Sequence, residues 1–192
     1  MRIMNVKRTI FFLLVIGIMA IVAGCARWPH GPEPGPGTDY QLEITVEVKG
    51  EIDTDNGIYY IGLDTDGQTG FGPGDDINDW KGVFYYIKLD FGGCYLYSKD
   101  EESEIELNPS YYGSNKLKIT VSLSDLGDPE SSIDINAVTT DSDGYTTYDY
   151  LDDYFNIGTV LYSTGVGFSS NDLEDDEGDF DIIEVLAEIT NI

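Results

Sequence analysis

The alternation from Leu42 to Val48 limits the possible folds of this chain more than any other feature. Leu42, Ile44, Val46 and Val48 are interleaved with Glu43, Thr45 and Glu47, and a period of two puts one face of an extended segment on a core and the other in water. Leu117, Ile119, Val121 and Leu123 repeat the pattern against Lys118, Thr120 and Ser122. Further strands are expected at Ile58 to Leu63, Val83 to Leu89, Cys94 to Tyr97, Ile133 to Thr139, Phe155 to Leu161 and Ile182 to Ile189. Turn chemistry separates them: Asp-Asn-Gly at 55 to 57, Gly92-Gly93, Ser114-Asn115 and Ser142-Asp143-Gly144.

Eight or so short strands with a turn about every ten residues predict an all-β fold, an antiparallel β-sandwich of the jelly-roll type. A brief helical turn is expected around Ser124 to Leu126, and a loop over the acidic stretch Asn171 to Asp179. No solenoid or propeller repeat is visible. One domain from residue 40 to 192 is long enough for a real core.

The first 25 residues have a different character. Arg2, Lys7 and Arg8 form a positive leader, and Ile10 to Ala23 is apolar apart from Gly17. That run is short for a membrane span and ends on small residues, as a cleaved signal does. Val22-Ala23-Gly24-Cys25 resembles the lipobox of prokaryotic lipoproteins. The resemblance implies a signal peptide over 1–24, cleavage before Cys25, and a diacylglycerol on its thiol, so that lipid rather than a helix holds the chain to the membrane. The plainer alternative is an uncleaved N-terminal anchor, and either way the remainder faces outward. Trp28 to Thr38 holds Pro29, Pro32, Pro34 and Pro36 with three glycines. Such a segment sustains neither a helix nor a ladder, so residues 25–39 read as a tether.

Charge narrows the partners. After residue 24 the chain carries seven basic and 36 acidic residues, a net charge of −29. Binding a phosphate backbone needs clustered Lys and Arg, so nucleic acid is excluded. The acid surplus suits divalent cations, and it equally suits a saline habitat in which the surface must stay solvated.

The loop from Asp64 to Trp80 carries the most chemistry. Asp64, Asp66, Asp75, Asp76, Asn78 and Asp79 offer oxygen donors, and interspersed glycine and proline let the backbone curl inward. Calcium takes six to eight hard oxygens with modest geometric strictness, and uncompensated carboxylates would repel one another. Calcium is therefore the expected cofactor. Asp53-Thr54-Asp55-Asn56-Gly57 and Asp141-Ser142-Asp143-Gly144 are shorter versions of the signature, which Asp-Gly and Asn-Gly turn-making alone explains. An EF-hand is excluded for all three, because the sixth positions are Ile58, Thr69 and Thr146 where that loop needs glycine.

Tyr59-Tyr60-Ile61-Gly62-Leu63-Asp64-Thr65-Asp66, Thr69-Gly70, Trp80 and Phe84-Tyr85-Tyr86-Ile87 together resemble the strand, Asp-Thr-Asp, Thr-Gly and aromatic-strand pattern of secreted sandwiches of the DOMON-like and family 9 carbohydrate-binding-module type. Ile119 to Leu126 and Asn136 to Asp141 extend the likeness to about half of the chain after the leader. It implies a jelly roll, frequent structural calcium, and in some members a sugar or haem ligand. Haem fits poorly, because Met1, Met4 and Met19 lie in the leader and His30 lies in the tether.

The same residues weigh against catalysis. A Ser-His-Asp or Cys-His device needs a histidine in the fold, and His30 is the only one in the chain. The usual zinc ligands are missing for the same reason. With Cys25 lipidated, Cys94 has no cysteine partner, and its strand position reads as a small buried residue. Carboxylate-based glycoside hydrolysis is a distant third reading, since no acid pair stands out among so many.

Sugar binding rests on the tyrosines. Alternation that turns Tyr85, Ile87 and Leu89 inward with Cys94 and Leu96 leaves Tyr86, Tyr95 and Tyr97 outward on adjacent strands, a flat aromatic face able to stack on sugar rings. Ordinary tyrosine packing under loops competes with it. The sequence thus predicts a lipid-anchored, extracytoplasmic, calcium-binding sandwich that binds carbohydrate or an envelope polymer. The alternative is a structural or assembly lipoprotein of the cell surface with no small ligand.

Overall fold

The alternating segments become two antiparallel sheets packed face to face. The computed structural model describes residues 40–68, 70–100, 103–170 and 178–191. The expected signal peptide, Cys25 and the tether lie outside the described residues, as do Thr69 and most of the 171–179 loop. Twelve strands are formed by the described residues: β1 (Tyr40–Val48), β2 (Gly57–Asp64), β3 (Tyr85–Asp90), β4 (Gly93–Tyr97), β5 (Glu104–Leu107), β6 (Ser110–Tyr112), β7 (Lys116–Ser122), β8 (Ser132–Asp141), β9 (Thr147–Tyr150), β10 (Phe155–Gly158), β11 (Thr164–Phe168) and β12 (Ile182–Asn191). Among the described residues no helix is long and apolar enough to cross a membrane.

The smaller sheet has the order β11-β12-β1-β7-β6, and the larger β10-β8-β2-β3-β4-β5 with β9 also on β8. β1 and β12 pair inside the smaller sheet, in register from Tyr40 opposite Asn191 to Glu47 opposite Glu184, after which a shift sets Val48 opposite Ile182. Leu42, Ile44, Val46 and Val48 on β1 and Leu117, Ile119 and Val121 on β7 all turn inward. They meet Ile61, Leu63, Ile87, Leu89, Cys94, Leu96, Ile133 and Ile135 from the larger sheet. Burying one such aliphatic side chain is worth roughly 1.5–3 kcal/mol, so this interior dominates stability. Cys94 is part of it, and burial pushes its thiol up to about 12, far from nucleophilic range.

The helical turn expected near Ser124 is a 3-10 turn, Leu123–Leu126, closed by Gly127 in the left-handed region at φ 77°. Val83 and Phe84 stand outside β3, contrary to the expected strand. Both amides donate to the carbonyl of Trp80, which folds the chain back before the strand begins. β10 ends at Gly158, short of the expected Leu161.

The outer faces of the two sheets differ. β1 and β7 alternate buried with half-buried residues, whereas all eight residues of β2 are buried. The loop after β2 is responsible. It lays Pro73, Ile77 and Trp80 on the outer face, where Ile58, Tyr60, Tyr86 and Val138 form a second apolar cluster. Gly62 makes room, since a Cβ there would stand 2.8 Å from Pro73 Cβ and 3.0 Å from Trp80 Cε3.

Candidate functional site

The site is built on the outer face of the larger sheet, where polar residues alternate with core residues. Along β8, Ile133, Ile135 and Ala137 point into the interior, so Asp134 and Asn136 point outward. Asn136 is buried and fixes the covering loop: its amide Nδ2 donates to the carbonyls of Pro73 (2.8 Å) and Gly74 (3.1 Å), while its Oδ1 accepts from the Ala137 amide (2.8 Å). The Trp80 indole donates to the same Gly74 carbonyl at 3.1 Å. Two carbonyls of the glycine-rich loop are thereby engaged in holding the loop on the sheet.

Between this loop and the chain joining β9 to β10 lies an open cleft of about 460 Å³. Phe71, Tyr150 and Tyr154 supply its aromatic surfaces, and Asp75, Asp152 and Asp153 its carboxylates. Phe71 is 79% exposed. The Tyr154 ring lies against the backbone of Gly72, where a Cβ would come within 2.6 Å of it. Asp152 accepts from the amide and hydroxyl of Ser170 at 2.9 and 2.7 Å, which holds its carboxyl below the usual range and charged. Aromatic faces beside ionised carboxylates and backbone carbonyls form a surface suited to a hydroxyl-rich ligand.

Asp149 lies just before the cleft but inside the protein. Burial raises its carboxyl to about 6, against bonds from the Ser169 hydroxyl and the Tyr150 and Ile182 amides that favour the charged form. It ties β9 to β12 and is fully enclosed. That enclosure makes it a structural carboxylate.

The six donors expected to share a cation divide. Asp64 is 2% exposed; its Oδ1 accepts from the Asp66 amide at 3.0 Å, and its Oδ2 is buried without a partner among the described residues. Burial pushes its carboxyl up, and the charges of Asp66 and Asp134 add to that. Asp75, Asp76, Asn78 and Asp79 are exposed instead. Asp76 caps the short 3-10 turn Ile77–Asp79, its Oδ1 accepting from the backbone and side-chain nitrogens of Asn78, both at 2.9 Å. Among the described residues no three His, Cys, Asp or Glu side chains gather as a metal site would need. The physical reason is Trp80: seating it on the sheet faces the neighbouring carboxylates outward to water.

The expected aromatic face is corrected in a similar way. Alternation placed Tyr86, Tyr95 and Tyr97 on the outer side, and the register agrees, with Tyr86 opposite Tyr97 and Lys88 opposite Tyr95. Tyr86, however, is only 7% exposed, packed with Trp80 and stacked on Tyr97 at 4.9 Å and 13°. Tyr95 and Tyr97 are half-buried. Tyr86 and Tyr97 are covered by the loop cluster and by each other, which leaves Tyr95, its hydroxyl donating to the Gly92 carbonyl, without the other two rings as an open platform.

The two shorter acidic signatures serve as turns. Asp53 Oδ1 accepts from the amides of Asp55 and Asn56, and Asp141 Oδ1 from that of Tyr145. Sequence reasoning passed over Asp134, Asn136, Tyr150, Tyr154 and Asn156. The signal for the first two was present in the alternation Ile133-Asp134-Ile135-Asn136-Ala137, which sends two polar side chains to the face opposite the core.

Comparison with protein-family models, with curated proteins and with solved structures finds no match to this chain.

Proposed function

We propose that this protein is a lipid-anchored, extracytoplasmic sandwich that binds carbohydrate or a related envelope polymer in the cleft between residues 70–75 and 150–154, with calcium as a stabilising cofactor on the same sheet. One observation carries the reading: an open cleft lined by Phe71, Tyr150 and Tyr154 beside Asp75, Asp152 and Asp153. Rings supply flat apolar area to the faces of a sugar, and carboxylates accept from its hydroxyls. The net charge of −29 argues for a neutral or cationic polymer rather than a polyanion. The anchor rests on Val22-Ala23-Gly24-Cys25 and the apolar run before it. The reading as a binder is supported by Asp149, the carboxylate raised to about 6 by burial, which is enclosed and bonded on both oxygens rather than presented to the cleft.

Retention in gels containing a panel of neutral and amino polysaccharides tests the cleft. The wild type is expected to be retarded by at least one of them, and Phe71→Ala with Tyr154→Ala to weaken that retardation by about tenfold or more, as expected when stacking area in a binding site is lost. Wild-type mobility unchanged across the panel would overturn the reading. The anchor has a separate test: Cys25→Ser is expected to leave the detergent phase in which the wild type partitions.

A second reading, assembly without a small ligand, is favoured by an exposed apolar strip. Val166 and Phe168 on β11 and Leu186 on β12 are 42%, 54% and 39% exposed, with Val166 directly opposite Leu186. Contiguous apolar surface of this kind can mark an interaction site.

A further inference from the structure

We propose that Asp64 and Asp134 bind a calcium ion, with the side-chain oxygen of Asn156 as a third protein donor; this deepens the calcium part of the reading above and replaces the loop set 75–79 as its location. The three residues form a row across three neighbouring strands. Asp64 on β2 lies directly opposite Asp134 on β8, and Asp134 lies directly opposite Asn156 on β10. All three point away from the interior, because Leu63, Ile133, Ile135 and Ile157 beside them point into it.

Cross-strand partners have their Cβ atoms about 4.5–5.5 Å apart, and like charges there are destabilising. Here the pair is also desolvated: Asp64 is 2% and Asp134 7% exposed. The second, independent observation is Asp64 Oδ2, buried with no partner among the described residues. A buried carboxylate oxygen left unsatisfied is costly, and a cation between the two carboxylates satisfies it and cancels their repulsion together.

The donor chemistry selects the ion. Carboxylate, carboxylate and amide oxygens are hard ligands, and the flexible coordination of calcium lets water complete the shell from the solvent side. Asn156 and Asp66, which flank the buried pair, are exposed. Asn156 Nδ2 donates to Asp134 Oδ1 at 2.5 Å; turning the amide over presents its oxygen to the same point. Two carboxylates and an amide also satisfy the absence of any cluster of three acidic, His or Cys side chains among the described residues.

Calorimetric titration of calcium chloride into chelator-stripped protein, in enough salt to screen the diffuse surface charge, tests the assignment. The wild type is expected to show one saturable site. Asp64→Asn and Asp134→Asn are each expected to weaken it by about tenfold or more, whereas Asp76→Asn with Asp79→Asn should leave it within about twofold, as those side chains are not ligands. Asn156→Ala, at an exposed position that carries no fold, should weaken it severalfold and keeps the test valid should a buried variant not fold. Loss of binding in the loop variant with retention in Asp134→Asn and Asn156→Ala would overturn the proposal. So would the lack of any saturable calcium site in the wild type, or a thermal midpoint unmoved by calcium. Polysaccharide retention that survives such a failure would confine it to the metal, and retention that vanishes while calcium still binds would strike the cleft alone.

Discussion

The two sheets of the sandwich share one core but treat their outer faces in opposite ways. On the smaller sheet, β1 and β7 send Glu43, Glu47, Lys116 and Lys118 into water, where they pair as Lys116–Glu47 (2.8 Å) and Lys118–Glu43 (2.5 Å). On the larger sheet, β2 and eight consecutive residues of β8 are buried, because a loop closed by Trp80 lies over them. A strand buried on both faces ordinarily reads as a continuous apolar run. Here it carries Asp64, Asp134 and Asn136, all buried. Polar groups kept where burial is costly point to a specific partner, and Asn136 has one in the loop. The contrast teaches that paired charges on an open face are solvent chemistry, whereas carboxylates under a cover require an explanation.

Removing the cover is expected to produce the largest effect. Trp80 is 1% exposed, and Trp80→Ala should cost roughly 3–5 kcal/mol in urea denaturation and expose Tyr86. A loss below about 1 kcal/mol, the range of a surface substitution, would remove the distinction between the sheets. Gly62→Ala should cost roughly 1–3 kcal/mol, because its Cβ meets Pro73 and Trp80. That cost should fall in the Trp80→Ala background without vanishing, since Pro73 remains the nearer neighbour, a coupling visible in a double-mutant cycle.

Acid should act through Asp149. Its carboxyl titrates at about 6 in the folded protein against 3.8 for the ordinary group, so the native state holds the proton more tightly than the unfolded chain. The stability contributed by Asp149 is then greatest below the unfolded value and is lost as pH rises between about 4 and 6. Denaturation midpoints measured in chelator across that window check the sign, and Asp149→Asn should flatten the slope. The smallest effect belongs to the open face: Lys118→Ala should change stability by less than about 1 kcal/mol, the ordinary range for an exposed ion pair.

The same contrast explains what was legible in the sequence. Strands facing the core on one side and water on the other, β1 and β7, were visible through their period, and β2 through its run of apolar and aromatic residues. The strands that were not visible, β5, β6, β9 and β11, all lie at sheet edges. Glu104–Leu107 buries only Leu107, Ser110–Tyr112 buries nothing, and Thr164–Phe168 alternates with glycine. Gly165 and Gly167 are small because Phe155 lies against them, a tertiary reason that no local pattern reveals. The register of Tyr86 and Tyr97 was legible for the same reason as the core. Their covering was not, since Pro73, Ile77 and Trp80 follow no strand or helix period. Counting oxygen donors in the loop likewise could not tell Asp64, drawn under the cover, from Asp76, turned out as a cap.

The central claim is that the covered face of the larger sheet is the functional one. Backbone amide NMR, with calcium and then a retained polysaccharide fragment titrated into the same sample, tests it most directly. Shifts are expected first at Asp64, Asp66, Asp134 and Asn156, then at Phe71, Gly72, Tyr150 and Tyr154. Shifts concentrated instead on Glu43, Glu47, Val166, Phe168 and Leu186 of the smaller sheet would contradict it.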